Sequence, residues 1–307
     1  MSAAREQDEL ARRGVVDLSS RVVLVLTGAD RVRYLNGQVT ANVAALRPGR
    51  AQPACVTTAK GRLCAEIMVT ARADALYVDA DAALAEVLLP RLERYIIADD
   101  VAVSSPGAGT RLLHFLEESP PADVRERPEF EVVQARRFGG DGWDLWGADE
   151  AVEAVWGGIV RHRSLLEEAQ IERLRIERGV PRWGRELDEQ TLPPEAGLEL
   201  THVDYHKGCY VGQEVISRLK SVGHVNRKLT GFAASGSAPL SVGAEVLAGN
   251  SLEVRVGTLT STTWSFALDK AIALGYLKRS SPAEGLFIRG PGGEPQPITV
   301  HALPFTL

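Results

Sequence analysis

The sequence predicts a multidomain α+β chain that ends in a small β-barrel or sandwich. Three observations carry this expectation. The 307 residues are enough for two or three domains, each with its own core. Residues 49–104 read as strand, strand, helix. After Arg227 helical periodicity stops, and short β-rich runs separated by Gly, Pro and Ser take over.

In chain order, VVDLSSRVVLVL from Val15 to Leu26 is β-branched and aliphatic and reads as a strand. Gly28-Ala29-Asp30 then offers a turn and a helix N-cap before RVRYLNGQV. The stretch AQPACVTTAKGRLCAEIMVTARADALYVDA holds two apolar strand-like runs on either side of polar turns. In the helix that follows, DAALAEVLLPRLERYII, the leucines recur at helical spacing and Pro90 is a point of bending or restart. ESPPADVRERPEF is a surface loop by its proline and charge. FGGDGWDLWG reads as a hairpin with Trp143 and Trp146 on opposite faces or flanking it. Ser164 and Glu167 have the spacing of a capping box, ahead of a helix that Gly179 and Pro181 end.

Composition excludes several classes. Hydrophobic residues at 45% and charged residues at 24% are ordinary for a globular chain. The longest aliphatic stretch, Val22 to Leu26, is too short to cross a bilayer, and the N-terminal residues show no export signal, so no membrane partner is expected. Cys55, Cys64 and Cys209 are odd in number and irregularly spaced, which points to a reducing, cytoplasmic setting. A net charge of -5 argues against broad nucleic-acid binding. PGAGTR lacks the G-K-S/T of a phosphate loop and is an ordinary turn.

The chemistry concentrates in KGCYVGQE, residues 207–214. The thiolate is the reactive form of cysteine, so a working Cys needs positive potential beside it. In an extended segment, residues two apart project to one side, which would set the Lys207 ammonium roughly 6 Å from the sulfur of Cys209. Such a pair gains on the order of 1 kcal/mol. QEVISRLK, from Gln213, reads as a helix with Val211, Val215 and Leu219 on one face and Glu214 paired to Arg218, its positive end facing the cysteine. Gly208 and Gly212 open access on both sides. The alternative is a small buried cysteine in a glycine-rich turn. His202, Asp204, His206 and Cys209 also form a candidate metal set, but H-E-x-x-H is missing and the glycine after Lys207 disfavours a helix there; a polar loop with two surface histidines is the simpler reading.

KGCYVGQE resembles the signature of the YgfZ family of folate-binding proteins. LTGADRVRYLNGQVT, TTAKGRLCAEIMV, RLRIERGVPRWGREL…TLPPE and VGTLTSTTWSFALDKAIALGYLKR extend the likeness over most of the chain in the expected order. The family is associated with iron–sulfur cluster assembly and with tRNA modification, and it shares the fold of the glycine cleavage T-protein aminomethyltransferase. The resemblance implies a glycine cleavage T-protein-like α+β fold around a central folate channel. Residues 1–48 and 105–225 would form a discontinuous N-terminal α/β body, 49–104 an inserted ferredoxin-like module, and 226–307 the barrel. Tetrahydrofolate or a one-carbon derivative is the implied cofactor, with iron–sulfur enzymes or their assembly proteins as partners.

Site residues follow from the same resemblance. Glu177 matches the pterin-binding glutamate of LRLEAG in the T-proteins, and a carboxylate is the side chain that accepts adjacent pterin N–H groups together. An acid near a helix C-terminus also runs against the dipole; the competing reading is a solvated acid paired with Arg173 or Arg178. Tyr210 and Gln213 of the motif join the folate-binding set. Arg62 and Arg227, with Arg218, Lys220 and Lys228, are candidate cations for the glutamate tail. One departure matters. The T-proteins carry two adjacent acids where this chain has Ala65-Glu66, and the first acts on the folate. Alanine cannot move a proton, and on a strand Glu66 faces the other way. Folate binding without T-protein turnover is therefore expected, with a one-carbon transferase using Cys209 or Glu66 as the alternative.

Overall fold

The computed structural model describes residues 14–107, 109–117, 119, 122–236, 238–249, 254–289 and 293–307. Its first strand, β1 (Val15–Asp17), and its second, β2 (Val22–Thr27), belong to different sheets. The continuous strand expected over Val15–Leu26 is broken because the Asp17 carboxylate captures the Ser19 N–H, and this local bond competes with the ladder. Helix α1 (Arg31–Gln38) starts after Asp30 as the sequence suggests, yet the Asp30 carboxylate accepts from the Asp100 N–H and the Arg33 side chain and does not cap the helix backbone.

β3 (Ala51–Thr57), β4 (Leu63–Ala71) and β5 (Leu76–Ala80) lead into α2 (Ala85–Glu93) and β6 (Ala102–Ser104). The sheet order is β3-β4-β5-β2-β6, antiparallel throughout. β2 therefore lies inside the sheet built by residues 51–104, and a boundary at residue 48 would cut through its hydrogen-bond ladder. One face of this sheet, including Ala54, Val56, Ala65, Ile67 and Val69, packs under Leu35, Leu88 and Leu92 of the two helices. α2 runs through Pro90 without restarting and ends at Glu93, short of the expected Ile97, which is 91% exposed.

The second sheet is β1-β7-β9-β8, from β7 (Thr110–Phe115), β8 (Glu131–Arg137) and β9 (Gly140–Ala148). Phe138 and Gly139 both take positive φ, 50° and 70°, the requirement of a tight two-residue hairpin. Trp146 packs with Leu112 and Val133, while Trp143 packs with the cluster of Leu113 and Leu145 on the other face. Helix α3 (Asp149–Arg161) covers the latter. ESPPADVRERPEF contains a single helical turn, Ala122–Arg125; its positions 118, 120 and 121 lie outside the described residues.

A buried charge network joins the two sheets. Arg137 on β8 donates to Asp79 on β5 at 2.7 Å and to Asp144 on β9 at 2.8 Å, and Asp144 also holds His114 Nδ1 at 2.8 Å. Arg21 adds a second cation on Asp79. Burial pushes the His114 imidazole below its ordinary value despite Asp144, so the network balances two carboxylates against two guanidiniums.

Helix α4 (Glu168–Glu177) begins three residues later than the Ser164–Glu167 box predicts. Glu167 is the cap, accepting from the third helical N–H, while Gln170 reaches back to the Glu167 N–H at 2.9 Å. Gly179, at φ 68°, ends it as expected. After an irregular stretch, α5 (Gln213–Ser221) precedes a closed barrel of β10 (Arg227–Ala234), β11 (Glu245–Ala248), β12 (Val254–Ser265), β13 (Lys270–Lys278), β14 (Leu286–Arg289) and β15 (Pro295–His301). The order is β10-β13-β12-β11-β14-β15. Phe232, Val246, Leu286 and Ile288 fill it, and Ile176 of α4 packs on its outside with Ile272 and Leu274.

Candidate functional site

The KGCYVGQE segment is held by the end of α1 and by the β3–β4 hairpin. Thr40, fully buried, organises the approach: its hydroxyl donates to the His202 carbonyl at 2.6 Å and accepts from the Cys55 N–H, and its carbonyl takes the Asp204 N–H at 3.0 Å. Asp204 then accepts the His206 N–H at 2.7 Å, a bond that holds its carboxyl below the usual range.

Lys207 departs from expectation. Its ammonium turns inward and donates to the carbonyls of Asn36 at 2.5 Å, Val39 at 2.9 Å and Ala41 at 2.6 Å. These carbonyls end α1 or follow it, and helix-end carbonyls lack partners within the helix, so a buried ammonium is the donor that satisfies three at once. Burial pushes the amine down to about 8, with Asp204 opposing. Cys209, two residues on, is exposed. Lys207 is thus a structural hook for the loop, and the expectation that it projects beside the sulfur is corrected: burying the aliphatic stem and satisfying carbonyls outweighs alignment along an extended strand. The exposed thiol also settles against the buried-cysteine alternative.

The rest of the motif is clamped on the hairpin. The Val211 N–H donates to the Gly37 carbonyl at 3.2 Å, and the Val211 carbonyl accepts from the Thr57 hydroxyl at 2.5 Å. Gly212 takes φ 88°, and a Cβ there would stand 2.5 Å from the Thr58 carbonyl oxygen. Glycine is required on both counts. Gln213 opens α5, its N–H on the Tyr210 carbonyl. In α5 the fully buried residue is Ile216, not the expected Val215 or Leu219; Val215 lies over Gly61 of the hairpin turn. Tyr210 is 7% exposed, its ring 5.3 Å from the Lys207 ammonium, and its hydroxyl is buried without a hydrogen-bond partner among the described residues.

His202 is paired with Glu66: Nε2 lies 3.3 Å from Glu66 Oε1 and Nδ1 lies 2.7 Å from the Thr201 hydroxyl. Burial alone would raise the Glu66 carboxyl, but His202, with Arg21 and Arg137 nearby, outweighs it and holds the group below its ordinary range. Ala65, 1% exposed, lies in the sheet–helix core. The two residues do face opposite ways, and the face that meets the motif loop is that of Glu66.

Glu177 is 2% exposed and its Oε1 accepts from the Ser265 hydroxyl at 2.5 Å, while its carbonyl takes the Phe305 N–H. This rules out a solvated surface acid. The same wall of the barrel carries a second buried acid that sequence reasoning missed. Glu186 accepts from Arg175 and from the Arg182 N–H, both at 3.0 Å, and from Thr260 at 2.7 Å and Ser261 at 2.6 Å. Neighbours on a strand normally face apart; a bulge between Leu259 and Ser261 lets both hydroxyls reach one oxygen. Arg227 is bound to Glu195 at 3.1 Å and stacks 4.2 Å from the Tyr276 ring. Its charge is therefore already paired with a carboxylate. ELDEQTLPPE displays both acids, but nothing in their spacing says that they become buried.

Arg62 lines a different feature, a cleft of about 560 Å³ beneath the hairpin turn, and donates to the Gln190 carbonyl. Neither Cys209 nor Glu177 lines this cleft. Lys220, on the exposed face of α5, stacks on Tyr205 at 3.7 Å, and Arg218 and Lys228 are exposed. Of the tail cations named from sequence, Arg62 is the one that lines this cleft among the described residues.

Residues 227–306 match the glycine cleavage T-protein C-terminal barrel domain. Over 315 residues the chain is 26% identical to an aminomethyltransferase of Rubrobacter xylanophilus, spanning 96% of this chain and 83% of that protein. Over 251 residues it is 27% identical to the tRNA-modifying protein YgfZ of Yersinia enterocolitica, spanning 76% of this chain and 74% of the relative. Aminomethyltransferase T of the glycine cleavage system from Bartonella henselae has the same fold, with a TM-score of 0.85 at 19% identity over 98% of this chain and 89% of that one. The chain therefore has the glycine cleavage T-protein fold, and its sequence similarities support a place among the proteins related to the glycine cleavage T-protein.

Proposed function

We propose that this protein binds a reduced folate, tetrahydrofolate or a one-carbon derivative, and supports assembly or repair of iron–sulfur enzymes through the exposed Cys209. The observation that carries the reading is Glu177: a carboxylate buried where α4 meets the barrel and accepting from the Ser265 hydroxyl. A carboxylate can accept two adjacent donors at once, and a pterin edge offers two. Tyr210, whose hydroxyl has no hydrogen-bond partner among the described residues, fits a polar ligand near the motif. Similarity to aminomethyltransferases and to the tRNA-modifying protein YgfZ supports the folate reading.

Titrating tetrahydrofolate into the protein and into Glu177→Gln tests it. Loss of the carboxylate should weaken binding by about 2–5 kcal/mol. Equal affinity removes Glu177 from the site, and absence of binding to the unaltered protein ends the folate reading. Cys209→Ser should preserve affinity while lowering the activity of cluster-dependent enzymes in cells.

One observation favours a second reading, one-carbon transfer. The Glu66–His202 pair sits against the motif loop and could exchange a proton there, whereas Ala65 is sealed in hydrocarbon. Conversion of labelled aminomethyl donor and tetrahydrofolate to methylenetetrahydrofolate would establish it; no label transfer at high protein concentration rejects it.

A further inference from the structure

The Glu66–His202 pair continues outward to a third group. The Thr201 hydroxyl lies 2.7 Å from His202 Nδ1, while Nε2, on the other side of the ring, lies 3.3 Å from Glu66 Oε1. These partners fix where the hydrogens sit. Glu66 stays ionised despite burial, through His202, Arg21 and Arg137, so it can only accept and Nε2 carries the ring hydrogen. In the neutral imidazole Nδ1 is then the acceptor, and Thr201 donates to it. Hydroxyl, base and orienting carboxylate therefore follow one another, the order that activates an oxygen nucleophile.

The backbone holds this arrangement in place before any ligand arrives. The His202 N–H donates to the Leu198 carbonyl at 2.8 Å, and the His202 carbonyl accepts from the buried Thr40 hydroxyl at 2.6 Å. Thr201 itself is exposed, and the preceding Leu200, 80% exposed, leaves apolar surface for a short acyl chain. A carboxylate behind the base disfavours an anionic phosphoryl donor and suits a neutral carbonyl.

We propose that Thr201, His202 and Glu66 form a hydroxyl-nucleophile site that takes an acyl group from a small ester or thioester. The site stands independently of the folate reading. Thr201 Oγ bonds to the carbonyl carbon as its proton passes to His202 Nδ1; the bond to the leaving alcohol or thiol breaks, and that group departs with the proton. Water repeats the exchange on the acyl-threonine, which releases the acid and restores the hydroxyl. Glu66 touches no substrate and is a positioning residue for the ring.

The test uses p-nitrophenyl acetate, with Cys209→Ser as the parent so that the exposed thiol does not consume the probe. The parent should release p-nitrophenolate in a burst followed by turnover, and peptide mapping after an acid quench should find acetyl on Thr201. Thr201→Ala should lose burst and label, and Thr201→Ser should keep both. His202→Gln should lower kcat about a hundredfold, as loss of a general base does, and Glu66→Gln about tenfold with KM unchanged. Both are read in variants that keep the parent's unfolding midpoint. Thr201 is exposed, so its two variants report even where the others fail to fold. A burst that survives Thr201→Ala, or acetyl found on lysines alone, overturns the proposal and leaves the folate reading untouched; that reading fails separately, by absence of tetrahydrofolate binding.

Discussion

The Lys207 ammonium lies 2.6 Å from the Ala41 carbonyl oxygen across 166 residues of sequence, and with Asn36 and Val39 it makes three buried bonds to backbone. Replacing it with methionine strands three acceptors, and the expected loss is about 2–4 kcal/mol in urea unfolding at pH 7. The amine also titrates low in the folded protein, at about 8 against an ordinary 10.5. Between those values the unfolded chain binds more protons than the folded one, so this group makes stability rise with pH, by at most about 3 kcal/mol. Lys207→Met should lack that increment; parallel pH dependences of the two proteins would contradict it.

Gly212 is the point where α5 presses on the hairpin. Alanine would place a Cβ against the Thr58 carbonyl at a positive φ, and backbone cannot move aside as a flexible side chain can. Gly212→Ala should cost about 1–3 kcal/mol by urea unfolding, with faster exchange of the Val211 amide as the loop loosens. Gly208→Ala, at a position where a Cβ meets nothing within 4 Å, is the control and should be nearly neutral.

Arg137 links the sheets through two buried carboxylates. Arg137→Met leaves Asp79 with only Arg21 and Asp144 with a neutral imidazole, and about 3–5 kcal/mol should be lost. Adding Asp144→Asn removes the stranded charge and should recover part of the loss, which a double-mutant cycle would measure.

The three thiols should separate under an aromatic disulfide reagent. Cys209 is exposed, Cys64 is half-buried, and Cys55 is fully buried with its thiol pushed well up by desolvation. The expected order of labelling is Cys209, then Cys64, then Cys55 only on unfolding. Equal rates for Cys55 and Cys209 in the folded protein would contradict the placement of the motif loop.

Local signals were sufficient for much of the architecture. Apolar pattern gave two strands and α2 where the structure has β3, β4, β5 and α2, the glycine at 179 ended α4, and the loss of helical pattern marked the barrel near residue 226. Each depends on contacts within a few residues, where chain geometry leaves few choices. Composition and motif together also singled out the segment around Cys209, and the mismatch of an acid at a helix end drew attention to Glu177.

Tertiary structure decided the rest. Whether Lys207 would face a sulfur or a cluster of carbonyls depended on where α1 ends in space, and those carbonyls carry no side-chain identity to read. Strand β2 pairs with β5 and β6 although α1, β3 and β4 intervene in the sequence, a pairing set by the completed ladder and not by local propensity. The burial of Glu177 and Glu186 needed barrel strand β12 and its bulge to be in position. Desolvation is a property of what surrounds a group, and the surroundings of these groups arrive from segments far away in the chain.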